Sequence, residues 1–267
     1  MESNFATPSN LVSDSVSAFW QVHRSKESAL HETIIPKGVI EIIFNFETTQ
    51  LQAQVNNRHI TVPRCFIQGY STSPIHLHLD GSQTFFGVVL NPAAVKYIFN
   101  FYPQIFANCV IDLTLIDSTF CFLWHKLGEQ NNFNNRVQVF TDWLINRLPE
   151  LNEREKAFNC FLNSDSNIQL SVTQLANLFC YSTKQLSRKI FELAGMNTEQ
   201  TLLYKKYLKA VHLIHSSDLK LTEVAYLCHF CDQSHFIKTF KSLSYITPHE
   251  YVNRKSNIVG HIFENVH

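Results

Sequence analysis

Ser171 to Phe191 reads SVTQLANLFCYSTKQLSRKIF, and Lys220 to Phe240 reads KLTEVAYLCHFCDQSHFIKTF. The two stretches repeat one pattern about fifty residues apart. Leu175-Ala176 aligns with Val224-Ala225, Ser182 with Asp232, Leu186 with Phe236, and Ile190 with Phe240. The second copy carries one extra residue in its turn. Each copy has a capping residue, an apolar helix face with a small residue for a close crossing, a turn, and a second cap. That is the pattern of a helix-turn-helix. Ser171 with Gln174, and Ser182 with Gln185, have the spacing of capping boxes, and Asp232 caps the second helix of the second copy. Glu199 to Ser217 joins the copies. Its apolar residues Leu202, Leu203, Tyr207, Ala210, Val211 and Ile214 predict one amphipathic helix that packs against both units.

The second helix of each copy turns its apolar residues inward and leaves a polar face. In the first copy that face carries Thr183, Lys184, Gln185, Ser187, Arg188 and Lys189. In the second it carries Gln233, Ser234, His235, Lys238, Thr239 and Lys241. These side-chain types bond phosphates and base edges, and residues early in such a helix usually reach the bases. Two units roughly 34 Å apart would meet successive major-groove segments on one face of a duplex. A solvated helical hairpin is the plainer alternative. Matched caps in two copies argue against it.

Charge supports this division of the chain. The 267 residues carry 22 Lys and Arg and 22 Asp and Glu, so the formal net charge is zero. From Asp165 onward there are 11 basic against 8 acidic residues, a surplus of +3, and the rest of the chain carries the matching deficit. A modest basic surplus predicts salt-sensitive binding to nucleic acid. With 45% hydrophobic residues the chain is globular, and it has no apolar run long enough to span a membrane. The N-terminus does not read as a secretory signal, so none is expected, and the seven scattered Cys read as reduced thiols in a cytosol.

The first half reads as short strands between turns. Val39 to Phe46, Arg58 to Val62, Cys65 to Tyr70, Ile75 to Leu79 and Phe85 to Leu90 predict a compact antiparallel sheet or barrel. Asp14 to His23 reads as a short strand or helix that buries Phe19 and Trp20, and 48–57 as a hairpin or loop. Helical spacing follows in Ala93 to Phe101 (with Pro92 at the first position), Asp117 to Gln130, Asn134 to Leu148 and 149–166. The fold class expected is α+β: a small antiparallel β domain with helices over 1–163, then an all-α double helix-turn-helix domain over 164–267.

Chemistry is sparse. No Gly-rich phosphate loop, nucleophile elbow or catalytic triad is visible. Cys228-His229-Phe230-Cys231 contains a lone C-x-x-C, which is half a zinc site. His76, His78 and Asp80 share one strand face, which reads as the polar outer side opposite Ile75, Leu77 and Leu79. Phe44, Phe46, Phe66, Phe85 and Phe86 read as core, with a ligand pocket as the alternative. An enzyme or metal-dependent protein that uses the helix-turn-helix only to find DNA would need a reactive Cys (Cys65 or Cys109) or a metal site in the first half. No catalytic residue, cofactor or metal is expected.

Three segments carry a family resemblance: Leu186-Ser187-Arg188; Asp232-Gln233-Ser234-His235-Phe236 with Phe240-Lys241; and Thr247-Pro248-His249-Glu250-Tyr251. Residues 168 to about 255 resemble the DNA-binding domain of the AraC/XylS family of bacterial transcription regulators. Pro36 to Phe44 and Phe86 to Pro92 are similar to an uncharacterised sensor-type domain found ahead of such domains. The resemblance implies a cytoplasmic transcription regulator of promoter or operator DNA. Thr183, Lys184, Gln185, Ser187, Arg188, Gln233, Ser234, His235, Lys238 and Lys241 would be its contacts, with Gln185, Arg188, Gln233 and His235 foremost. RNA polymerase, a small-molecule effector and a homodimer stay open as partners. The family usually has Gly where this chain has Cys180, His229 and Tyr245, so those residues are expected in a left-handed backbone. Lys206 stands where an Arg is common, and Phe191 where a polar residue is.

Overall fold

The computed structural model describes residues 2–25, 29–47, 50–148 and 150–265. The first half holds strands β1 (Glu2–Ala6), β2 (Val16–Arg24), β3 (Leu30–Ile34), β4 (Ile40–Asn45), β5 (Gln52–Val55), β6 (Arg58–Thr61), β7 (Cys65–Gln68), β8 (Ile75–Leu79), β9 (Gln83–Leu90) and β10 (Val110–Asp112). Helices α1 (Pro92–Phe99), α2 (Thr119–Gly128), α3 (Phe133–Ile145) and α4 (Glu153–Asn163) follow β9, with short 3-10 turns at Pro103–Phe106 and Leu113–Leu115. The second half holds α5 (Val172–Leu178), α6 (Thr183–Ala194), α7 (Thr198–Ser216), α8 (Leu221–Leu227), α9 (Gln233–Ser244) and α10 (Pro248–Arg254), then a last strand β11 (His261–Asn265). The α+β class expected from the sequence is the one observed.

Two antiparallel sheets face each other. One has the order β1-β2-β9-β4-β7-β10, the other β11-β3-β8-β5-β6. All six residues of β4 are buried. One face of its sheet is covered by helices, where Phe140 of α3 meets the rings of Phe19, Phe44 and Phe86 at 6.1–6.5 Å. The other face meets the second sheet through Ile43 and Phe66 packed with Val55, Ile75 and Leu79. Burial on both sides accounts for the unbroken apolar run of β4. On β8 the burial alternates, with His76 and His78 exposed, as the polar-face reading required. Asn56 and Asn57, at φ 48° and 61°, make the two-residue turn between β5 and β6, which suits an Asn pair. Thr48, Thr49 and Pro149 of the expected loop and helix lie outside the described residues; α4 begins at Glu153.

β1, β3, β10 and β11 were not expected. β11 matters most, because it lies in the half assigned to helices alone. It pairs with β3 from His261↔Ile34 to Asn265↔Leu30, so the chain beyond α10 joins the first half's sheet.

The long helix α7 docks on the first half. Tyr204 is buried; its hydroxyl donates to Ser71 O at 2.7 Å and accepts from Gly38 N at 3.1 Å. Gly38 has φ +71°, and a Cβ there would lie 2.2 Å from Leu208 Cδ1. The turn at Pro36-Lys37-Gly38 therefore suits glycine for its left-handed backbone, with the Leu208 side chain of α7 packed over it. Buried Lys205, also on α7, donates to Phe161 O and Ser164 O at the end of α4. Burial lowers its pKa to about 8. Phe158 of α4 stacks on Phe179 at 4.4 Å, which ties α4 to the first helix-turn-helix.

Gly38→Ala is expected to lower stability by at least about 1–2 kcal/mol, the cost of a left-handed non-glycine residue before any clash is counted. Urea denaturation of the full chain measures it. An unchanged midpoint would contradict a left-handed backbone at Gly38.

Candidate nucleic-acid interface

Each helix-turn-helix is built as its residues dictate. Ser171 with Gln174, and Ser182 with Gln185, form complete capping boxes on α5 and α6. Asp232 caps α9 by accepting from His235 N at 2.7 Å. Leu175, Ala176, Leu186 and Ile190 are buried in the first unit, and Val224, Ala225, Phe236 and Phe240 in the second. Four residues separate α5 from α6, and five separate α8 from α9. Between the units, α7 buries Leu202, Tyr207, Ala210, Val211 and Ile214. Its 19 residues span about 28 Å at 1.5 Å per residue.

Most of the expected polar face is exposed. On α6, Thr183, Lys184, Gln185 and Arg188 are exposed and Ser187 is half-buried. Thr183, Lys184, Ser187 and Arg188 border one shallow groove with Phe191 and Asn197. Arg188 has 80% of its side chain exposed, held only loosely by Glu192 at 4.0 Å. On α9, Gln233, Ser234, Lys238 and Lys241 are exposed. His235 is half-buried with its ring edge-on to Phe230 at 5.5 Å.

Three expectations need refinement. Thr239 does not face outward; it is buried on the inner side of α9. Lys189 is half-buried, paired with Glu192 at 3.6 Å and 6.0 Å from the Tyr102 ring of the first half. Gln185 is exposed, but its Oε1 accepts from Ser182 N and Oγ, so the cap competes with any outward role. Tyr204 and Lys205 were missed, because a polar residue on an amphipathic helix reads as solvent-facing until its partner is known.

The backbone expectation holds. Cys180, His229 and Tyr245 have φ of 55°, 56° and 61°. Lys206 reaches one of these turns, donating to His229 O at 2.7 Å. Gly195, retained, has φ +70°, and a Cβ there would lie 2.7 Å from Ala107 Cβ of the first half. The first unit is thus closely applied to the turn at Pro103–Phe106.

Of the two first-half thiols that an enzyme reading would use, Cys109 is exposed and Cys65 is not. Cys65 is buried, and burial pushes its thiol pKa well up. Cys228 is likewise buried and pushed up to about 12, while Cys231 is exposed. A nucleophilic thiol needs the opposite shift. Among the described residues no cluster of three His, Cys, Asp or Glu is placed to hold a metal ion. No described helix is long and apolar enough to cross a membrane.

Comparison with known proteins matches these two halves separately. Residues 175–254 match the family model described as a helix-turn-helix domain. These residues are an AraC-type helix-turn-helix domain. Residues 4–112 match a domain of unknown function (DUF6597). The HTH-type transcriptional activator RhaS of Yersinia pestis (strain Pestoides F) is 28% identical over 138 residues, 49% of this chain and 44% of the relative. The match therefore spans less than half the length of that relative. ToxT from Vibrio cholerae strain SCE256, solved with an unsaturated fatty acid bound, has the same two-part fold. It is 13% identical with a TM-score of 0.52 over 97% of this chain and 99% of that one. The C-terminal domain of the response regulator yesN from Fusobacterium nucleatum is 29% identical over 38% of this chain and 99% of its own, at a TM-score of 0.34. In the AraC-type domain of this chain, the three positive-φ residues stand at the turns and at the end of α9.

Cys180→Gly and Tyr245→Gly are each expected to raise stability by up to about 1 kcal/mol, since relief of left-handed strain is partly offset by a freer unfolded chain. His229→Gly should gain less, because His tolerates this region better. Thermal denaturation of the three variants checks the order. A loss of stability in Tyr245→Gly would contradict it.

Proposed function

We propose that this protein is a sequence-specific DNA-binding transcription regulator whose α6 and α9 enter adjacent major-groove segments. The observation that carries the proposal is the pairing of two capped, polar-faced helices, both exposed, on the single rigid helix α7. Thr183, Lys184, Gln185, Ser187 and Arg188 would make the contacts of the first unit. Gln233, Ser234, His235, Lys238 and Lys241 would make those of the second. Within each set, the exposed Lys side chains suit phosphates as point charges, and Arg188 and Gln233 suit base edges. His235, wedged on Phe230, would present its ring from a fixed position.

The neutral chain and the +3 surplus of its second half favour a mechanism in which each unit binds weakly and the pair binds well. Joining two weak sites on a stiff spacer makes the second event intramolecular. The reading extends to a cytoplasmic, non-enzymatic regulator modulated through its first half, with DNA as the partner at a promoter or operator. A small-molecule effector, RNA polymerase and a second copy of the chain are further partners consistent with it. Contacts of the first half with α6 and α7 support modulation, since a shift there moves the spacing of the units. The alternative of a DNA-targeted enzyme finds little support in a buried, protonated Cys65 and an exposed pair of histidines.

Arg188→Ala is expected to weaken binding to a selected site by roughly 1–3 kcal/mol and to relax preference at one base position. Lys238→Ala should weaken binding uniformly across sequences and reduce the salt slope by about 1. Fluorescence anisotropy at fixed and varied salt separates the two. An Arg188→Ala variant with unchanged affinity at fixed salt would remove that residue from the interface.

A further inference from the structure

A cavity of about 500 Å3 lies between the two sheets. That is within the range of roughly 300–1,000 Å3 usual for small-molecule sites. Its lining is mainly apolar, with Ile43, Phe66, Leu77, Phe85 and Val110 among the side chains. The buried carboxylates that reach it are already engaged. Glu41 accepts from Trp20 Nε1 and from Lys37 Nζ, both at 2.9 Å. Glu32 Oε1 meets His261 Nδ1 at 2.6 Å. Apolar side chains therefore make up most of what the walls offer an occupant, with Arg24, Gln68, Gln83 and Asn257 among the further polar lining.

One wall does not come from the first half. Asn257, Ile258, Val259 and His261 line the cavity, and these residues follow the second helix-turn-helix. From them a chain of contacts leads back to α9. Gly260 O accepts from Ile35 N at 2.9 Å. Gly260 N donates to the hydroxyl of Tyr251 on α10, also at 2.9 Å. Tyr251 is fully buried, its ring 5.8 Å from that of Phe240 on α9. Arg254 of α10 pairs with Glu264 of β11.

We propose that this cavity binds an apolar small molecule, and that the segment 257–265 relays its occupancy to the second helix-turn-helix. The inference deepens the effector reading given above and depends on the DNA-binding reading only for its last consequence. β11 is a five-residue strand at a sheet edge, the kind of element that opens at lower free energy than a core strand. It is paired with β3 here, and the proposal gives it a second, released arrangement. An occupant that presses on Ile258 and Val259 biases that choice, and Gly260 passes the shift to Tyr251 and Phe240. A two-state element contacted from both sites is the physical requirement for coupling.

The test uses the full chain and the neutral, apolar fluorophore N-phenyl-1-naphthylamine as probe. Amide hydrogen exchange is followed with and without it. In the native chain the probe should change protection of 258–265 and of 251–254 together, by at least threefold in rate. Leu77→Trp, which fills the cavity, should weaken probe binding at least tenfold. Tyr251→Phe keeps the ring packing and removes the hydrogen bond to Gly260; it should bind the probe as before while the change stops short of α10. Probe binding that leaves 251–265 untouched would overturn the relay, as would a Tyr251→Phe variant that responds like the native chain. Unaltered probe binding in Leu77→Trp would overturn the site. None of these readouts involves DNA, so a failure of the DNA-binding reading would show separately, as absent binding to any duplex.

Discussion

The hydroxyl of Tyr204 is the point on which the two halves depend. It is buried, and both of its partners, Gly38 N and Ser71 O, belong to the first half. Moving α7 away would strand polar groups in an apolar setting, at about 1–3 kcal/mol each. Glycine at position 38 lets Leu208 close over the same turn. Because α7 also carries both helix-turn-helix units, the contact that fixes α7 fixes the units relative to the sheets. Lys205 at the end of α4 and Phe158 on Phe179 extend the same joint.

This joint bears on how a chain of zero net charge would serve the DNA-binding role proposed for it. Strong long-range attraction is not available to it, so geometry must contribute more. The exposed faces of α6 and α9 are polar and modestly basic, and the units that carry them are joined by the helix that Tyr204 holds against the first half. Phe191, half-exposed among the polar residues of α6, trades a possible phosphate contact for apolar surface. The strained residues Cys180, His229 and Tyr245 make the turns less stable than glycine would. The first unit compensates by leaning on the turn at Pro103–Phe106 and on α4.

Local signals were legible in the sequence where one residue type has one physical use. The caps at Ser171, Ser182 and Asp232 were read correctly because a short polar side chain before an apolar face has few other roles. The left-handed residues were read from positions where glycine is usual. β4 was plain from its apolar run, and β8 from its alternation. What escaped was everything set by partners distant in the chain. β11 (HIFEN) is too short and mixed to announce a strand, and it is one because β3 lies beside it. Tyr204 and Lys205 read as ordinary members of an amphipathic helix; only the arrival of Gly38, Ser71 and the end of α4 buries them. Thr239, expected outward with the other polar residues of α9, lies one turn from buried Phe236 and is buried itself. The candidate interface was legible in outline, and the tie between Gln185 and its cap was not.

The central claim is that the two units act as a pair at a spacing held by α7. The most direct measurement is selection of random duplex DNA by the full chain, with the enriched sequences aligned. The account predicts a bipartite motif whose half-sites lie about one helical turn, roughly 10 base pairs, apart. A single half-site, or no enrichment at all, would contradict it.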